Sequence, residues 1–377
     1  MTVLVKAYTS LNLGDDLFLK ILFERYPRIN FILIAPKVYA QHMSNFGNVK
    51  VLPPPKFSFF NRGVNHVLQK FSSKLIERRT FKLWELFIKD QLLIAEVFLL
   101  IGGSMFIQSV NNEMSIYNKI DKLFSLQFRE KQKIIIGANF GPFSTQSFYN
   151  YYKEIFKEFD DVCFRESFSK ELFSSLSNVR CCPDIVFQLK VPAIEKLKNS
   201  VGFSVINLST KPELVEFEEQ YLYTMVKFIM SYTKQGYIPF LFAFCKAEGD
   251  GIFISKIISN LPADIGSKVQ TVYYDGNIED FINIYGKIEV MYVTRFHAMI
   301  LSSLFNQFIY PIAYSTKMIN VLEDLRYSGS YTTIIDIKNI NVDEVMYEVK
   351  TNTLRVDECQ KKESERQFEI LDRILLN

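Results

Sequence analysis

Histidine and tryptophan are nearly missing from this 377-residue chain, which has three of the first, His42, His66 and His297, and one of the second. Five cysteines, Cys163, Cys181, Cys182, Cys245 and Cys359, form no CxxC pair, so no zinc site is expected. The neighbours Cys181 and Cys182 cannot easily bridge, and the pattern fits buried thiols in a reducing cytoplasm. Long apolar runs are absent too. None approaches the roughly 18–20 residues that span a bilayer, and residues 1–7 read as a strand instead of the charged and then apolar opening of a secretory leader. A net charge of +3 is too mild for a nucleic-acid partner.

What is abundant is aromatic: 35 Phe and 20 Tyr in a chain that is 48% apolar and 23% charged, the balance of an ordinary globular protein. A chain of this length divides most readily into two domains. Short apolar runs alternate with amphipathic stretches. Strands are expected at 2–7, 31–35, 49–52, 96–101, 133–136, 161–164 and 178–181, and helices between them. The grammar restarts after about residue 190, with strands at 201–207, 237–244, 269–273, 290–293 and 308–313. This is β-α-β order, which predicts an α/β fold of two Rossmann-like domains facing a cleft. We place the first at 1–195, joined by a C-terminal helix over 358–377, and the second at 196–357. A basic and aromatic stretch, 56–90, interrupts the first half. From Arg78 on, helical spacing sets Phe81, Trp84, Phe87 and Ile88 along one side and Arg78, Arg79, Lys82 and Lys89 along the other. That suits a helix lying on an anionic bilayer, or the solvated back of a core helix.

Candidate site residues gather at strand ends, where α/β folds place ligands. After the strand at 290–293, Thr294 reads as a helix N-cap, putting Arg295 and His297 in the first turn, a setting for an anion. Tyr314 and Lys317 follow the next strand. Arg165 stands at a similar junction after 161–164, and Asp184 follows the strand at 178–181. Gly102-Gly103-Ser104 and the loop 137–142, which holds Asn139, are glycine-rich strand ends whose N–H groups can meet oxyanions. Neither is GxGxxG, so a dinucleotide site gains little support. Asn12-Leu13-Gly14-Asp15-Asp16 follows the first strand, either as a ligand contact or as an Asx cap with a tight turn.

Taken together and in order, Asn12 to Asp16, Gly102-Gly103-Ser104, 137–142, Arg165-Glu166-Ser167, Pro183-Asp184 and Thr294-Arg295-Phe296-His297 with Pro311, Tyr314 and Lys317 resemble the polysaccharide pyruvyl transferase family over roughly residues 1–325. Ser104 stands where a third glycine is common, Glu166 where an Asp is usual, and Phe296 where Leu is common; no cation is lost. The resemblance implies a glycosyltransferase B-like architecture and transfer of the enolpyruvyl group of phosphoenolpyruvate to a sugar of a bacterial-type surface polysaccharide or its lipid-linked precursor. The product would be a pyruvate ketal, with phosphate released. It also implies donor binding by Arg165, Arg295, Phe296 and His297, to which the loop position adds Lys317.

The chemistry suits those side chains. A carboxylate and a phosphate held together need fixed, fork-shaped cations, a task for Arg. Proton delivery to the donor's methylene carbon fits His297 as acid, with phosphate binding as its rival role. Asp15 or Asp184 is the candidate base. Asn12, Gly14, Gly102, Gly103, Ser104, Asn139 and Tyr314 are candidate acceptor or loop contacts. Neither a metal nor a cofactor beyond the co-substrate is expected. The acceptor would be a sugar, for instance polyprenyl-diphosphate-linked, at the cytoplasmic side, with 56–90 offering peripheral membrane contact. Alternatives are a nucleotide-sugar glycosyltransferase, against which the lack of a Glu-x7-Glu pair counts, and a non-catalytic polysaccharide-assembly protein.

Overall fold

A computed structural model describes residues 1–55, 73–108, 114–354 and 358–376. The chain divides into two compact units, and each holds one parallel sheet. The first unit comprises 1–8, 22–182 and the residues from 366 on. Its strands are β1 (Thr2–Ala7), β2 (Asn30–Ile34), β3 (Val49–Leu52), β4 (Val97–Ile101), β5 (Gln132–Ala138), β6 (Asp161–Phe164) and β7 (Val179–Cys181), in the order β3-β2-β1-β4-β5-β6-β7. The second unit, 9–21 and 183–365, holds β8 (Ser200–Ser204), β9 (Ile238–Ala243), β10 (Gln270–Tyr273), β11 (Val290–Val293), β12 (Phe308–Ala313) and β13 (Thr332–Thr333), ordered β10-β9-β8-β11-β12-β13. Every pairing among these strands is parallel. In each sheet the order reverses beside its first strand, between β1 and β4 and between β8 and β11. Doubly wound sheets take ligands at such a reversal.

The aromatic surplus goes into the two cores. In the first unit, Phe98 stacks on Phe124 at 4.6 Å between centroids, and Phe106, Phe140, Tyr152, Phe156, Phe164 and Phe173 are wholly or nearly wholly buried. In the second, Tyr232 and Tyr292 share a buried hydroxyl hydrogen bond of 2.9 Å. Ring-filled cores solve the polar tip of Tyr by pairing it.

The stretch 56–72 lies outside the described residues. Its continuation forms the helix Ser73–Leu92, in which Trp84 and Ile88 are buried and pack, with Phe81 and Phe87 beside them, in the core of the first unit. The apolar side is therefore the core side, and Arg78, Arg79, Lys82 and Lys89 are exposed. Among the described residues no helix is long and apolar enough to cross a membrane.

The limits of the two units differ from boundaries drawn at 195 and 358. Residues 9–21 belong with the second unit because Leu13 N donates to Phe244 O at 3.1 Å, Tyr274 donates to Asp16 at 2.7 Å, and Lys20 pairs with Glu279 at 2.8 Å. Residues 183–195 and 358–365 go there too, with Ser364 donating to Asp184 O at 2.7 Å. The tail that returns to the first unit is shorter than a whole helix, a 3-10 turn Arg366–Phe368 and a helix Glu369–Leu375. Its Gln367 is fully buried: the side chain accepts from Gly137 N at 3.0 Å and donates to Phe164 O and Cys182 O at 3.1 and 2.7 Å. Gly137 sits at the register shift of β5 against β6 with φ +72, so the tail satisfies a donor that the ladder leaves out.

Candidate functional site

In the second unit, loops from the C-terminal ends of β8, β9, β11 and β12 meet the 9–21 segment. Arg295, two residues past β11, is the N-cap of the helix Phe296–Leu304 with extended backbone. The cap expected at Thr294 thus falls one residue later, so Arg295 precedes the first turn instead of lying in it and His297 is the second helical residue. The N–H groups of Thr294 and Arg295 donate to Ser204 Oγ at 3.0 and 3.2 Å, and the Thr294 hydroxyl pairs with Tyr221 at 2.9 Å. Those bonds cross the strand reversal and hold Arg295 there.

Arg295 is buried and engaged by two acids. Nε donates to Asp250 Oδ2 at 3.1 Å, Nη2 pairs with the other Asp250 oxygen, and Nη1 donates to Glu248 at 2.7 Å. Asp250 is locked in turn, because Oδ2 accepts from Phe244 N and Cys245 N at 3.0 and 2.9 Å. Burial raises the Asp250 carboxyl, with Arg295 opposing it. At Glu248 burial also acts against ionisation, but Arg295, then Lys211 and Lys317, hold the carboxyl below its usual range. Lys211 Nζ lies 3.8 Å from Glu248 and 5.3 Å from the Tyr314 ring centroid, and Lys317 Nζ stands 5.0 Å over Phe296. Three cations and two carboxylates in one cluster leave it net positive, the condition for holding a small anion.

His297 lies beside this cluster. Its ring meets Phe18 and Phe296 edge-on at 5.3 and 5.0 Å, and Nε2 is 3.8 Å from Asp184 Oδ2. The other Asp184 oxygen accepts from Val186 N at 2.8 Å, capping a short 3-10 helix. The carboxylate is thereby fixed, and it can orient the imidazole. The need for glycine at Gly14 is plain here: a Cβ on it would fall 1.6 Å from His297 Nδ1. Asn12 caps the helix Leu13–Arg25, its Oδ1 accepting from Gly14 N at 3.1 Å, while Nδ2 donates to Glu248 at 3.4 Å. The cap is real, and the same side chain reaches the charged cluster. Asp15 is buried in the first turn beside Gly14.

A second group lies wholly in the first unit. Arg165, buried after β6, donates from Nη2 to Asn139 Oδ1 at 2.7 Å, an oxygen that also accepts from Ser104 Oγ at 3.2 Å. A Cβ on Gly103 would lie 2.4 Å from Arg165 Nη2, so the glycine lets the guanidinium lie against the backbone. Gly102, with φ +147, turns the chain out of β4. Glu166 is a cap: its side chain accepts from Ser169 N at 3.1 Å.

The structure thus collects Asn12, Gly14, Asp184, Arg295, Phe296, His297, Tyr314 and Lys317 in one unit, and Gly102, Gly103, Ser104, Asn139 and Arg165 in the other. Sequence reasoning misses Glu248, Asp250, Lys211 and Ser204. The one signal for the acids is Gly249-Asp250-Gly251, which reads as a turn. Among the described residues no group of His, Cys, Asp or Glu could hold a metal.

Solved structures with the same fold include two UDP-GlcNAc 2-epimerases. The UDP-GlcNAc 2-epimerase of Neisseria meningitidis, bound to UDP-GlcNAc, superposes with TM-score 0.61 at 9% identity, covering 100% of each chain. That of Methanocaldococcus jannaschii gives 0.60 at 10%, covering 99% of each. Anabaena Alr3699/HepE, in complex with UDP and glucose, gives 0.59 at 10%, covering 100% of this chain and 99% of that one. The chain therefore has the glycosyltransferase B-type α/β fold. No curated protein sequence matches it significantly. The family model for polysaccharide pyruvyl transferase matches residues 12–316, most of the chain, and the chain belongs to that family.

Proposed function

We propose that this transferase moves the enolpyruvyl group of phosphoenolpyruvate onto a sugar of a surface polysaccharide or its lipid-linked precursor, closing a pyruvate ketal. Family membership and the net positive cluster around Arg295, Lys211 and Lys317 beside His297 support this reading. In the proposed step, a sugar hydroxyl gives its proton to a base and adds to C2 of the donor while the imidazolium of His297 protonates C3. The C2–O bond to phosphate then breaks, and a second hydroxyl adds to C2, loses its proton and closes the ring. Donor and diol become ketal and inorganic phosphate, with no redox change.

Asp184, committed to Val186 N and facing Nε2, is the residue that positions His297 in this proposal; Asp15 is then the base. Arg165 is proposed to bind donor oxygens through its guanidinium edge. The acceptor would be met at the cytoplasmic side. Incubation with phosphoenolpyruvate and a panel of free and lipid-linked sugars tests the reading. Phosphate release matched by an acceptor mass gain of one pyruvate ketal is expected. Release of UDP from a nucleotide sugar, or no turnover with any acceptor, would refute it.

A further inference from the structure

The two acids on Arg295 are not alike. Asp250 has a fully buried side chain and is tied to two backbone N–H groups. Glu248 has no such tie. Its side chain is 26% exposed, it lies in a turn over 246–249, and that turn ends at Gly249 with φ +79. Glycine carries at no steric cost a backbone conformation that other residues rarely adopt, and the glutamate before it can leave Arg295 by rotating its own side-chain torsions.

The surroundings of the Glu248 carboxylate are those a small anion requires. Oε2 accepts from the Arg295 fork at 2.7 Å and lies 3.8 Å from the Lys211 ammonium, Oε1 accepts from the Asn12 amide at 3.4 Å, and Lys317 adds its attraction. A guanidinium edge, an ammonium and an amide N–H around one carboxylate form a complete oxyanion receptor. With Glu248 in place, three cations face two carboxylates and one positive charge remains. With it withdrawn, two remain, and Arg295 Nη1, Lys211 and Asn12 are released together.

We propose that Glu248 occupies the position of an anionic group of the donor, and that it sets donor affinity by competing for Arg295, Lys211 and Asn12 until the ligand displaces it. This rests on the reading of the cluster as the phosphoenolpyruvate site. Glu248 is then an affinity-determining residue whose charge opposes binding, the reverse of what its hydrogen bond to Arg295 would suggest.

Glu248→Gln keeps the shape and removes the charge. Calorimetric titration of the full-length protein with phosphoenolpyruvate, and separately with inorganic phosphate, is expected to show the variant binding about tenfold or more tighter, since a like charge a few ångströms from the ligand in a half-buried site is removed. Unchanged or weaker binding would overturn the proposal and make Glu248 a support for Arg295. A crystal structure of the wild-type protein with phosphoenolpyruvate is the second measurement. Glu248 is expected beyond hydrogen-bonding reach of Arg295 Nη1; a ligand bound while that bond is kept also overturns it. Wild-type protein that binds neither anion removes both this inference and the donor assignment. Wild-type protein that binds while Glu248→Gln gains nothing removes this inference alone.

Discussion

Gly14→Ala tests His297 without touching an ionisable group. Gly14 is the second residue of the helix Leu13–Arg25, and its φ lies outside the left-handed region, so alanine meets no backbone objection there. In a helix the change should gain up to about 1 kcal/mol. Against that, the new methyl carbon would stand 1.6 Å from His297 Nδ1, and one of the two must move. The backbone at Gly14 is held by Asn12 Oδ1 at 3.1 Å and by the docking of Leu13 on Phe244, so the imidazole yields. Displacing a packed ring costs about 1–3 kcal/mol, which leaves a net destabilisation of roughly 0–3 kcal/mol. Turnover suffers far more. If His297 delivers the proton, losing its position costs about 10²–10⁴-fold. Phosphate release at saturating donor and acceptor reads the loss, and a denaturant melt confirms the fold. In a His297→Ala background Gly14→Ala should cost nothing further in rate, because both changes act through one ring. Full turnover in Gly14→Ala, or a loss that persists undiminished in that background, would refute the argument.

Other outcomes follow from the same arrangement. Arg295→Met strands the buried Asp250 carboxylate and the half-buried Glu248 and should lower stability by about 3–5 kcal/mol in urea melts; its loss of activity therefore reports folding as much as binding, and a cost below about 1 kcal/mol would show the ion-pair hub to be dispensable. Trp84→Ala should cost about 3–5 kcal/mol if the helix Ser73–Leu92 faces the core as described, whereas a near-neutral effect would restore its apolar side to another partner. Burial lowers the Lys196 ammonium to about 8, so the unfolded chain binds its proton more tightly than the folded one. The stability difference between wild type and Lys196→Met should then shift in favour of wild type as pH rises from about 8 toward 10, by roughly 1 kcal/mol after allowance for solvent screening; parallel pH profiles would count against the burial.

Central parallel strands are continuous apolar runs, which is why β1, β4, β5, β6 and β11 stand out in the sequence to within two residues. The two-residue β13 offers no run to see. Helix starts are harder. Gly14 and the two Asp after it hide a helix that begins at Leu13, because its cap is a side chain at Asn12 and its exposed donors are met by Phe244 and Asn12. Arg295 and His297 are legible as types at a strand end. What they touch is not, since the Asp250 and Glu248 carboxylates lie 45 and 47 residues away in the chain and only the packing of β9 beside β8 brings them in. Gly103 stands out as a glycine at a strand end, but the guanidinium it seats comes from a different strand end and leaves no local trace.

The buried Gln367 bears on the order in which this protein can be made. Domains emerging from the ribosome ordinarily fold in turn from the N-terminus, yet here Gly137 N, Phe164 O and Cys182 O all lean on one amide, 230, 203 and 185 residues further along. At ordinary translation speeds of roughly 5–20 residues per second, Gly137 waits on the order of 10–50 s for its acceptor. A ribosome that stalls before residue 367 would hold out a first sheet in which the C-terminal ends of β5 and β6 still lack these partners.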